Sequence, residues 1–446
     1  MFLSAGAEYI KPPAKTSIRR FAELICTKKM TLSKQQISVV TLSTISFTVC
    51  FAVWMMFAVI GIPIKKMLDL NETQFGLLIA TPVLSGSLIR LPLGMWTDKF
   101  GGRVVFFILM LSTVIPIYLI SYATEFWHFL VTGLFVGLAG GSFSVGIAYC
   151  ARWFPKERQG FAMGIFGAGN SGAALTKFVA PALVVGFGWQ IVPQVYAVAM
   201  LVTAMAFWAF TYTDPRHKLS SDTTLKKQLQ VLKDPKVWRY CQYYSIVFGG
   251  YVALALWMTK YYITEYGFDI RIAALLAAVF SLPGGVLRAI GGWLSDRYGA
   301  HTVTWWVLWV SMVALFFLSY PQTDFIIHTV NGPKIFHIGL NPWVFTALMF
   351  IVGVAWAFGK ASVFKYISDD YPHNIGAVSG IVGLVGGLGG FVLPILFGAL
   401  VDLTGVRSSV FMLLFGIIWA SLMWMYWTEV RPLAATQEKY RVRLTS

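Results

Sequence analysis

Acidic residues are the scarcest charged groups in this sequence, and charge of either sign is rare. Of 446 residues only 12% are charged, with 19 Asp and Glu against 35 Lys and Arg, whereas 57% are hydrophobic. Water-soluble globular proteins usually carry about 25% charged residues, so this composition excludes a soluble globular protein. We therefore predict an integral membrane protein.

Cysteine and histidine are also rare. The four cysteines are scattered, and the six histidines lie in loops or at the ends of apolar segments. Metal centres and disulfide frameworks need such residues in clusters, so we predict neither a metal site nor a cofactor. The sequence pattern also lacks a nucleophile with its base and a sizeable soluble domain, which predicts that the protein is not an enzyme.

Apolar segments of about 20 residues recur along the chain, each long enough at about 1.5 Å per residue to cross a hydrocarbon core of about 30 Å. A polar linker at 213–237 separates six of them from six others. The sequence therefore predicts an all-α membrane protein of two six-helix bundles, at 37–212 and 238–428, with tails at 1–36 and 429–446. The twelve predicted spans are 37–62, 74–94, 104–122, 128–150, 160–185, 191–212, 238–262, 271–291, 302–320, 342–367, 376–400 and 407–428.

The formal charge of +16 indicates orientation rather than a nucleic-acid partner. Most Lys and Arg fall in the tails and in the loops on one side of the predicted spans, and cytoplasmic loops of membrane proteins collect these residues. Both termini are therefore expected in the cytoplasm. Two local elements are also predicted: an amphipathic surface helix in the linker, from Leu225, Leu229 and Leu232, and a β-hairpin at Asn331-Gly332 on the opposite face.

Arg90 and Arg288 lie inside predicted spans, at matching places in the two halves, while all Asp and Glu fall in loops, tails or span ends. An arginine at mid-bilayer costs about 2.5 to 3.5 kcal/mol on insertion scales, so it usually faces a cavity. Snorkelling toward the headgroups is the alternative, but glycines four residues to either side of each arginine favour packing against protein. Paired arginines without acidic partners indicate an anionic substrate, because guanidinium groups donate paired hydrogen bonds to oxyanions.

Lys177 and Lys360 are the other two Lys or Arg residues that lie more than two residues from either end of a predicted span. A buried lysine can exchange a proton, so both are candidates for proton coupling. A purely structural role is the alternative for each of them.

Glycines repeat at one spacing in the fifth and the eleventh predicted span. Small residues let membrane helices approach each other closely. Close packing and contact of the glycine backbone with a substrate both remain open. The repeated glycines are Gly160, Gly164 and Gly167 in one span and Gly376, Gly380 and Gly383 in the other.

Repeated motifs in the two halves resemble those of one transporter family. GMWTDKFGGR (94–103) and GWLSDRYG (292–299) resemble the signature loop of the major facilitator superfamily. GFAMGIFGAGNSG (160–172) and GAVSGIVGLVGGLGGF (376–391) resemble the two nitrate signatures of its nitrate/nitrite porter family. The resemblance, which covers 37–428, implies the major facilitator fold and a monomeric carrier of nitrate or nitrite in the inner membrane of a bacterium.

The resemblance also implies roles for individual residues. Arg90 and Arg288 would clamp nitrate from opposite bundles, and Asn170 matches an asparagine of the nitrate signature. An aromatic wall is implied at Phe51, Phe143, Tyr244 and Phe248. The predicted set is completed by Gly164, Gly167, Gly386 and Gly387 for substrate binding, and by Gly94, Asp98, Arg103, Asp296 and Arg297 for conformational gating.

Phe166 departs from the family pattern, because exchanger-type members tend to carry an asparagine at that position. The departure favours nitrate:proton symport over nitrate/nitrite exchange. In either case two bundles would rock around a central site, with Lys360, Lys177 or a proton without a fixed acid providing the coupling. A carrier of another small anion, such as a carboxylate, and a non-transporting anion sensor are the alternatives.

Overall fold

The computed structural model describes residues 32–154, 156–213, 230–371 and 375–432. Eleven helices in these ranges are long and apolar enough to cross a membrane. A twelfth span is formed by Ile270–Val286 and Arg288–Tyr298, which meet at 47°. The prediction of a twelve-span, all-α membrane protein is thereby confirmed.

The first six spans, α1 to α6, form the N-terminal bundle. Short 3-10 turns interrupt or end three of them, at Ile120–Tyr122, Leu138–Gly141 and Ala168–Ser171. The spans are α1 (Lys34–Trp54 and Phe57–Met67), α2 (Glu72–Leu88 and Arg90–Phe100), α3 (Gly102–Leu119), α4 (Phe126–Gly137 and Ser142–Arg152), α5 (Lys156–Gly167 and Gly172–Phe187) and α6 (Ile191–Phe210).

The last six spans, α7 to α12, form the C-terminal bundle. A π-helical turn, Ser245–Gly250, interrupts α7, and another, Tyr426–Val430, extends α12. The spans are α7 (Pro235–Tyr244 and Tyr251–Tyr266), α8 (Ile270–Val286 and Arg288–Tyr298), α9 (Ala300–Leu318), α10 (Pro342–Asp370), α11 (Ile375–Thr404) and α12 (Ser409–Met425).

The outer surface of the spans is apolar. Ile115, Trp127 and Phe187 are 69%, 69% and 77% exposed. Contiguous exposed apolar surface of this kind would be unfavourable in water and is suited to lipid.

A β-hairpin joins α9 to α10. Strands β1 (Thr323–Thr329) and β2 (Gly332–Ile338) pair antiparallel around the turn at Asn331-Gly332, and Gly332 has φ +103°. The predicted hairpin is therefore present. We call this side of the bundle the hairpin face, and the opposite side, where the linker begins and ends, the linker face. Of the predicted surface helix, Leu225 and Leu229 lie outside the described residues, and Leu232 lies in a 3-10 turn.

The two bundles meet through α2 against α11 and α5 against α8. At the hairpin face this contact is close, because a side chain on Gly76 would clash with the carbonyl of Pro394, and one on Gly398 with the carbonyl of Glu72. The Asp402 carboxylate, on α11, accepts hydrogen bonds from the amides that begin α2. The structure is therefore closed at the hairpin face.

The bundles separate toward the linker face. An added Cβ at Gly383 would lie 3.8 Å from Arg90, and one at Gly380 would lie 3.2 Å from Leu91, so contact persists at this depth. Closer to the linker face, the positions of Gly94 and Gly292 have open space around them. An enclosed site between the bundles would thus open toward the linker face.

Two acidic residues are more enclosed than the sequence analysis expected. Glu72, at the start of α2, pairs with Lys260 of α7. Glu429 lies on the π-helical extension of α12 with a side chain 9% exposed, and it contacts Arg239 and His301. Both pairings join residues far apart in the sequence, so no local pattern reveals them.

Candidate functional site

Each of the two arginines begins the second part of a broken span. Arg90 is the first residue of Arg90–Phe100, and Arg288 is the first residue of Arg288–Tyr298. In α2 the break follows from Pro92, which has no N–H to bond the carbonyl of Leu88. The two halves thus place an arginine at matching breaks of α2 and α8.

Arg90 is buried, 4% exposed, and its contacts cross the bundle interface. Its Nη1 donates a 2.8 Å hydrogen bond to the carbonyl of Gly383 on α11. Its guanidinium carbon lies 5.0 Å from the ring centroid of Phe248, 5.9 Å from that of Trp54 and 6.0 Å from that of Phe143. Aromatic faces attract cations and leave the hydrogen-bonding edge of the guanidinium for another acceptor.

Arg288 has a matching environment in the other bundle. Its guanidinium carbon lies 5.0 Å from the ring centroid of Phe364 and 5.3 Å from that of Phe143. Its Cδ would be 3.6 Å from a Cβ added at Gly167 on α5. The ring of Phe143 is therefore shared by the two arginines, which places both guanidinium groups around one point between the bundles.

Each arginine also has a buried N–H without a hydrogen-bond partner in the described part of the chain: Nε of Arg90 and Nη1 of Arg288. A buried donor left unsatisfied costs about 1 to 3 kcal/mol, and more when it is charged. Neither arginine forms an ion pair with any carboxylate that the structure describes. The arrangement is suited to an oxyanion that accepts from both groups at once.

Tyr244 and Phe248 lie on α7 on the same side as Arg90. Their rings stack with centroids 5.1 Å apart at 11°, and Tyr244 meets the edge of Phe364 at 5.2 Å. Phe51 instead contacts Phe47 at 5.7 Å and Trp54 at 5.3 Å. Of the four predicted wall residues, Phe143 and Phe248 thus contact a guanidinium group, Tyr244 supports Phe248, and Phe51 packs on Trp54.

The sequence analysis did not single out Trp54 and Phe364. Helical spacing was the available signal, since Trp54 lies three residues after Phe51 and Phe364 lies four residues after Lys360. Residues three or four apart share a helix face. Phe166, the departure from the family pattern, stacks on Phe47 at 4.8 Å and 19° and lies next to Phe143, so it supports the shared ring.

The predicted glycines contact side chains rather than open space. Gly164 and Gly167 of α5 adjoin Ala289 and Arg288 of α8, at 3.6 Å each from an added Cβ. A side chain on Gly386 would clash with Tyr244, and one on Gly387 would clash with Ser87 of α2. These contacts support the close-packing interpretation. Gly167 in addition lies beside Arg288, one of the two arginines of the site.

Asn170 is buried in the 3-10 turn that interrupts α5. Its Nδ2 donates a 2.9 Å hydrogen bond to the carbonyl of Gly167, and its main chain packs against Gly285 of α8. The side chain therefore stabilises the turn that brings Gly167 to Arg288.

Lys177 and Lys360 have different kinds of partner. Lys360 of α10 donates a 2.5 Å hydrogen bond to the carbonyl of Gly284 on α8, and its Nζ lies 3.5 Å from the ring centroid of Tyr251. Both of these partners are in its own bundle. Lys177 of α5 contacts Ser281 and, at 3.4 Å, the carbonyl of Ala277, and both of these partners are on α8 in the other bundle.

The predicted gating residues form contacts within their own bundles. Asp98 pairs with Arg152, and Asp296 lies 3.4 Å from Lys365, at matching places in the two halves. Arg103 donates a 2.6 Å hydrogen bond to the carbonyl of Trp208. Arg297 lies 5.5 Å from the ring of Trp293, and Gly94 has open space around it.

Comparison with known proteins identifies relatives over nearly the whole chain. The Major Facilitator Superfamily sequence model matches residues 42–394. The chain is 40% identical over 411 residues to the "Probable nitrate/nitrite antiporter NarK1" of Thermus thermophilus, covering 89% of this chain and 93% of that protein. It is 30% identical to the "Nitrite extrusion protein" of Bacillus subtilis (89% and 96%) and to the "Probable nitrate transporter NarT" of Staphylococcus carnosus (88% and 97%).

Solved structures with the same fold are more distant in sequence. A bacterial homolog of the human lysosomal transporter Spinster, in an inward-facing and occupied conformation, superposes with a TM-score of 0.65 at 16% identity, covering 91% of this chain and 98% of that one. The nucleoside transporter NupG superposes with a TM-score of 0.66 at 14% identity, covering 87% and 98%. At these identities the likeness concerns the fold alone.

Proposed function

Because the chain belongs to the Major Facilitator Superfamily and, within it, to the nitrate/nitrite porter family, we propose that it carries nitrate across a membrane by exposing the site between its bundles to either face in turn. The family predicted from the motifs is thereby confirmed, as is the prediction of a carrier rather than an enzyme. The alternation would use the two bundles as rocking bodies.

One observation carries the proposal: the unpartnered N–H groups of Arg90 and Arg288 around the shared ring of Phe143. Nitrate is planar and has three equivalent oxygens, so it can accept from two guanidinium groups at once. It also offsets the repulsion between two buried cations, which is strong where the dielectric constant is low. Closure of the site around the two arginines is thus favourable when nitrate is bound and unfavourable when the site is empty.

We assign the hairpin face to the outside of the cell and the linker face to the cytoplasm of a bacterium. The excess of Lys and Arg in the tails and in the loops on the linker side supports this orientation. The structure, closed at the hairpin face, then represents a state whose site opens toward the cytoplasm. Each protein chain contains a complete site, which supports a monomeric carrier.

For the coupling mode we propose nitrate:proton symport. Two lysines, Lys177 and Lys360, are buried without a carboxylate partner among the described contacts, and a lysine in such surroundings can exchange a proton. Nitrate/nitrite exchange is the second candidate, because the Thermus thermophilus relative is named as a probable antiporter.

Transport assays in liposomes test the proposal. Purified protein is reconstituted, an inward proton gradient is imposed, and nitrate entry is measured with and without nitrite inside. Entry driven by the gradient alone is the expected result, whereas entry that requires internal nitrite would establish exchange. Absence of nitrate entry under both conditions would contradict nitrate transport, and competition by small carboxylates would then identify another anion.

Matched variants connect transport to the site. Arg288→Lys is expected to impair nitrate entry, and Arg271→Lys, which changes an exposed arginine at the hairpin face, serves as its control. Nitrate binding without any flux in the unaltered protein would favour an anion sensor over a carrier.

A further inference from the structure

Lys177 differs from every other buried cation of the central region in one respect: its described contacts join the two bundles without involving an aromatic ring. The side chain is 1% exposed. Its Nζ contacts the hydroxyl of Ser281 and lies 3.4 Å from the carbonyl of Ala277, both on α8. The contact therefore depends on α5 and α8 lying together, as they do while the hairpin face is closed.

The direction of these hydrogen bonds is fixed by the partners. The hydroxyl of Ser281 donates a 3.1 Å hydrogen bond to the carbonyl of Ala277 within α8, so its oxygen remains to accept from Lys177. A carbonyl can only accept. Both contacts thus require Lys177 to donate, and the two N–H groups of its neutral amine satisfy both of them.

The surroundings of Lys177 on α8 and α7 contain no carboxylate among the contacts that the structure describes. On α8 it faces Ser281 and the carbonyl of Ala277. Behind Ser281 lies Tyr251 of α7, whose hydroxyl donates a 2.7 Å hydrogen bond to the main-chain carbonyl of Ser281. On α6, Tyr196 pairs with the neighbouring Thr176 at 2.7 Å. Lys177 is thus removed from water and surrounded by neutral groups while the hairpin face is closed, which disfavours its charged form.

Lys360, unlike Lys177, has no described contact with the other bundle. Its partners, the carbonyl of Gly284 and the ring of Tyr251, both belong to the C-terminal bundle. Bundles in this kind of fold move largely as rigid bodies, so these contacts are retained whichever face is open. A group that couples a proton to the alternation must change its surroundings between the two states, and of the two lysines only Lys177 does so through the contacts described.

We propose that Lys177 is the proton-coupling residue of this carrier and that Ser281 is its positioning partner. The inference rests on the proposed function, proton-driven nitrate transport. With the hairpin face open, Lys177 is separated from Ser281 and takes up a proton from the outside. As the face closes, Lys177 leaves water for its neutral partners on α8, and the ammonium gives up this proton to the side of the site that opens toward the cytoplasm. The neutral amine keeps two N–H donors for Ser281 and Ala277 and is protonated again when the bundles next part at the hairpin face.

The experiment compares gradient-driven nitrate uptake with nitrate counterflow, in which labelled nitrate exchanges for unlabelled nitrate without a proton gradient. Lys177→Arg keeps a permanent charge and a donor, and Lys177→Met removes both. We expect each to reduce uptake about ten-fold or more, the scale of a lost charged hydrogen bond, while counterflow stays within about two-fold of the unaltered protein. Lys360→Met is the matched control and is expected to leave the ratio of uptake to counterflow unchanged.

A purely structural Lys177 would behave differently, because Lys177→Arg would then retain gradient-driven uptake at the ratio of the unaltered protein. That result would overturn the inference, as would loss of coupling in Lys360→Met alone. If the Lys177 variants do not fold, Ser281→Ala provides the test: a change in the external pH dependence of uptake supports the inference, and an unchanged profile contradicts it. Failure of the unaltered protein to respond to the gradient would instead reject the proposed symport.

Discussion

Arg90 donates a 2.8 Å hydrogen bond to the main-chain carbonyl of Gly383, and this bond joins the N-terminal bundle to the C-terminal bundle. The other half has a related contact, in which Arg288 lies against Gly167 of the opposite bundle. Each arginine therefore meets a glycine-rich helix of the other half. This relationship explains why the arginine pair and the glycine helices occur together in the sequence.

Replacing either arginine by lysine should weaken nitrate binding while leaving the fold intact. Lysine keeps the charge but loses the planar fork, and with it a charge-assisted hydrogen bond worth about 1.5 to 3 kcal/mol. We expect Arg90→Lys and Arg288→Lys each to raise the dissociation constant for nitrate about ten-fold or more. Calorimetric titration of the purified protein measures this directly. Binding as tight as in the unaltered protein would contradict the clamp.

The loss of nitrate affinity on replacing an aromatic residue should be larger the closer its ring lies to the guanidinium groups. Phe143 lies within 6.0 Å of both arginines and Phe364 lies 5.0 Å from Arg288, whereas the described ring contacts of Phe51 are with Phe47 and Trp54. A buried cation–π contact is worth about 0.5 to 2 kcal/mol. Phe143→Leu and Phe364→Leu should therefore weaken nitrate binding about two- to thirty-fold, and Phe51→Leu less.

Leucine preserves most of the buried volume, so the measured difference reports the ring rather than a cavity. Nitrate titrations of the three variants, with thermal unfolding as the control for folding, decide the ranking. An effect of Phe51→Leu as large as that of Phe143→Leu would place Phe51 in contact with the substrate.

The arginines could be predicted from the sequence because apolar spans make isolated charges conspicuous. The aromatic neighbours could not, since 35 phenylalanines and 17 tryptophans offer many candidates. Which ring meets Arg90 depends on the rotation of α1 and on the breaks in α2 and α7. The ring centroid of Trp54 lies 5.9 Å from the guanidinium carbon of Arg90, whereas Phe51, on the same part of α1, contacts Trp54 with ring centroids 5.3 Å apart.

Closure of the hairpin face likewise could not be predicted from the sequence. Lys260 lies near the end of a predicted span, where a lysine usually extends to the headgroups. In the structure it is 6% exposed and pairs with Glu72 across the bundle interface. Such a pair follows from the packing of α7 against the start of α2, which no periodicity within either helix predicts.

Alanine substitutions should distinguish a glycine that packs closely against the opposite bundle from a glycine with open space around it. A side chain on Gly76 would clash with the main chain of Pro394 on α11, which cannot move aside as a flexible side chain would. Overpacking of this kind typically costs about 1 to 3 kcal/mol. We expect Gly76→Ala to slow nitrate transport by hindering closure of the hairpin face. Gly416→Ala, at an exposed position of α12 with open space around it, is the matched control and should transport normally.

Uptake and thermal unfolding of both glycine variants provide the measurement. Equal effects of the two substitutions would show that the cost comes from helix flexibility rather than from contact between the bundles.

The ion pair between Lys260 and Glu72 should hold the hairpin face closed. Lys260 lies over the rings of Trp257 and Phe75 at 4.6 and 4.8 Å, and Glu72 is also 3.6 Å from Lys65 of its own bundle. Removing Glu72 leaves the charge of Lys260, whose side chain is 7% exposed, without its carboxylate partner, which is unfavourable. Because opening the face restores water to Lys260, Glu72→Gln should shift the population toward the open state.

Spin labels report this shift. With the four cysteines replaced, labels at Met67→Cys and Leu403→Cys, both exposed at the hairpin face and in different bundles, give the distance between the bundles. Glu72→Gln is expected to add a population at longer distance. Glu265→Gln breaks the pair with Arg407 inside the C-terminal bundle and should leave the distance unchanged. A distribution unaffected by Glu72→Gln would mean that packing between α2 and α11 alone keeps this face closed, with the charge pair contributing only to the stability of its own surroundings.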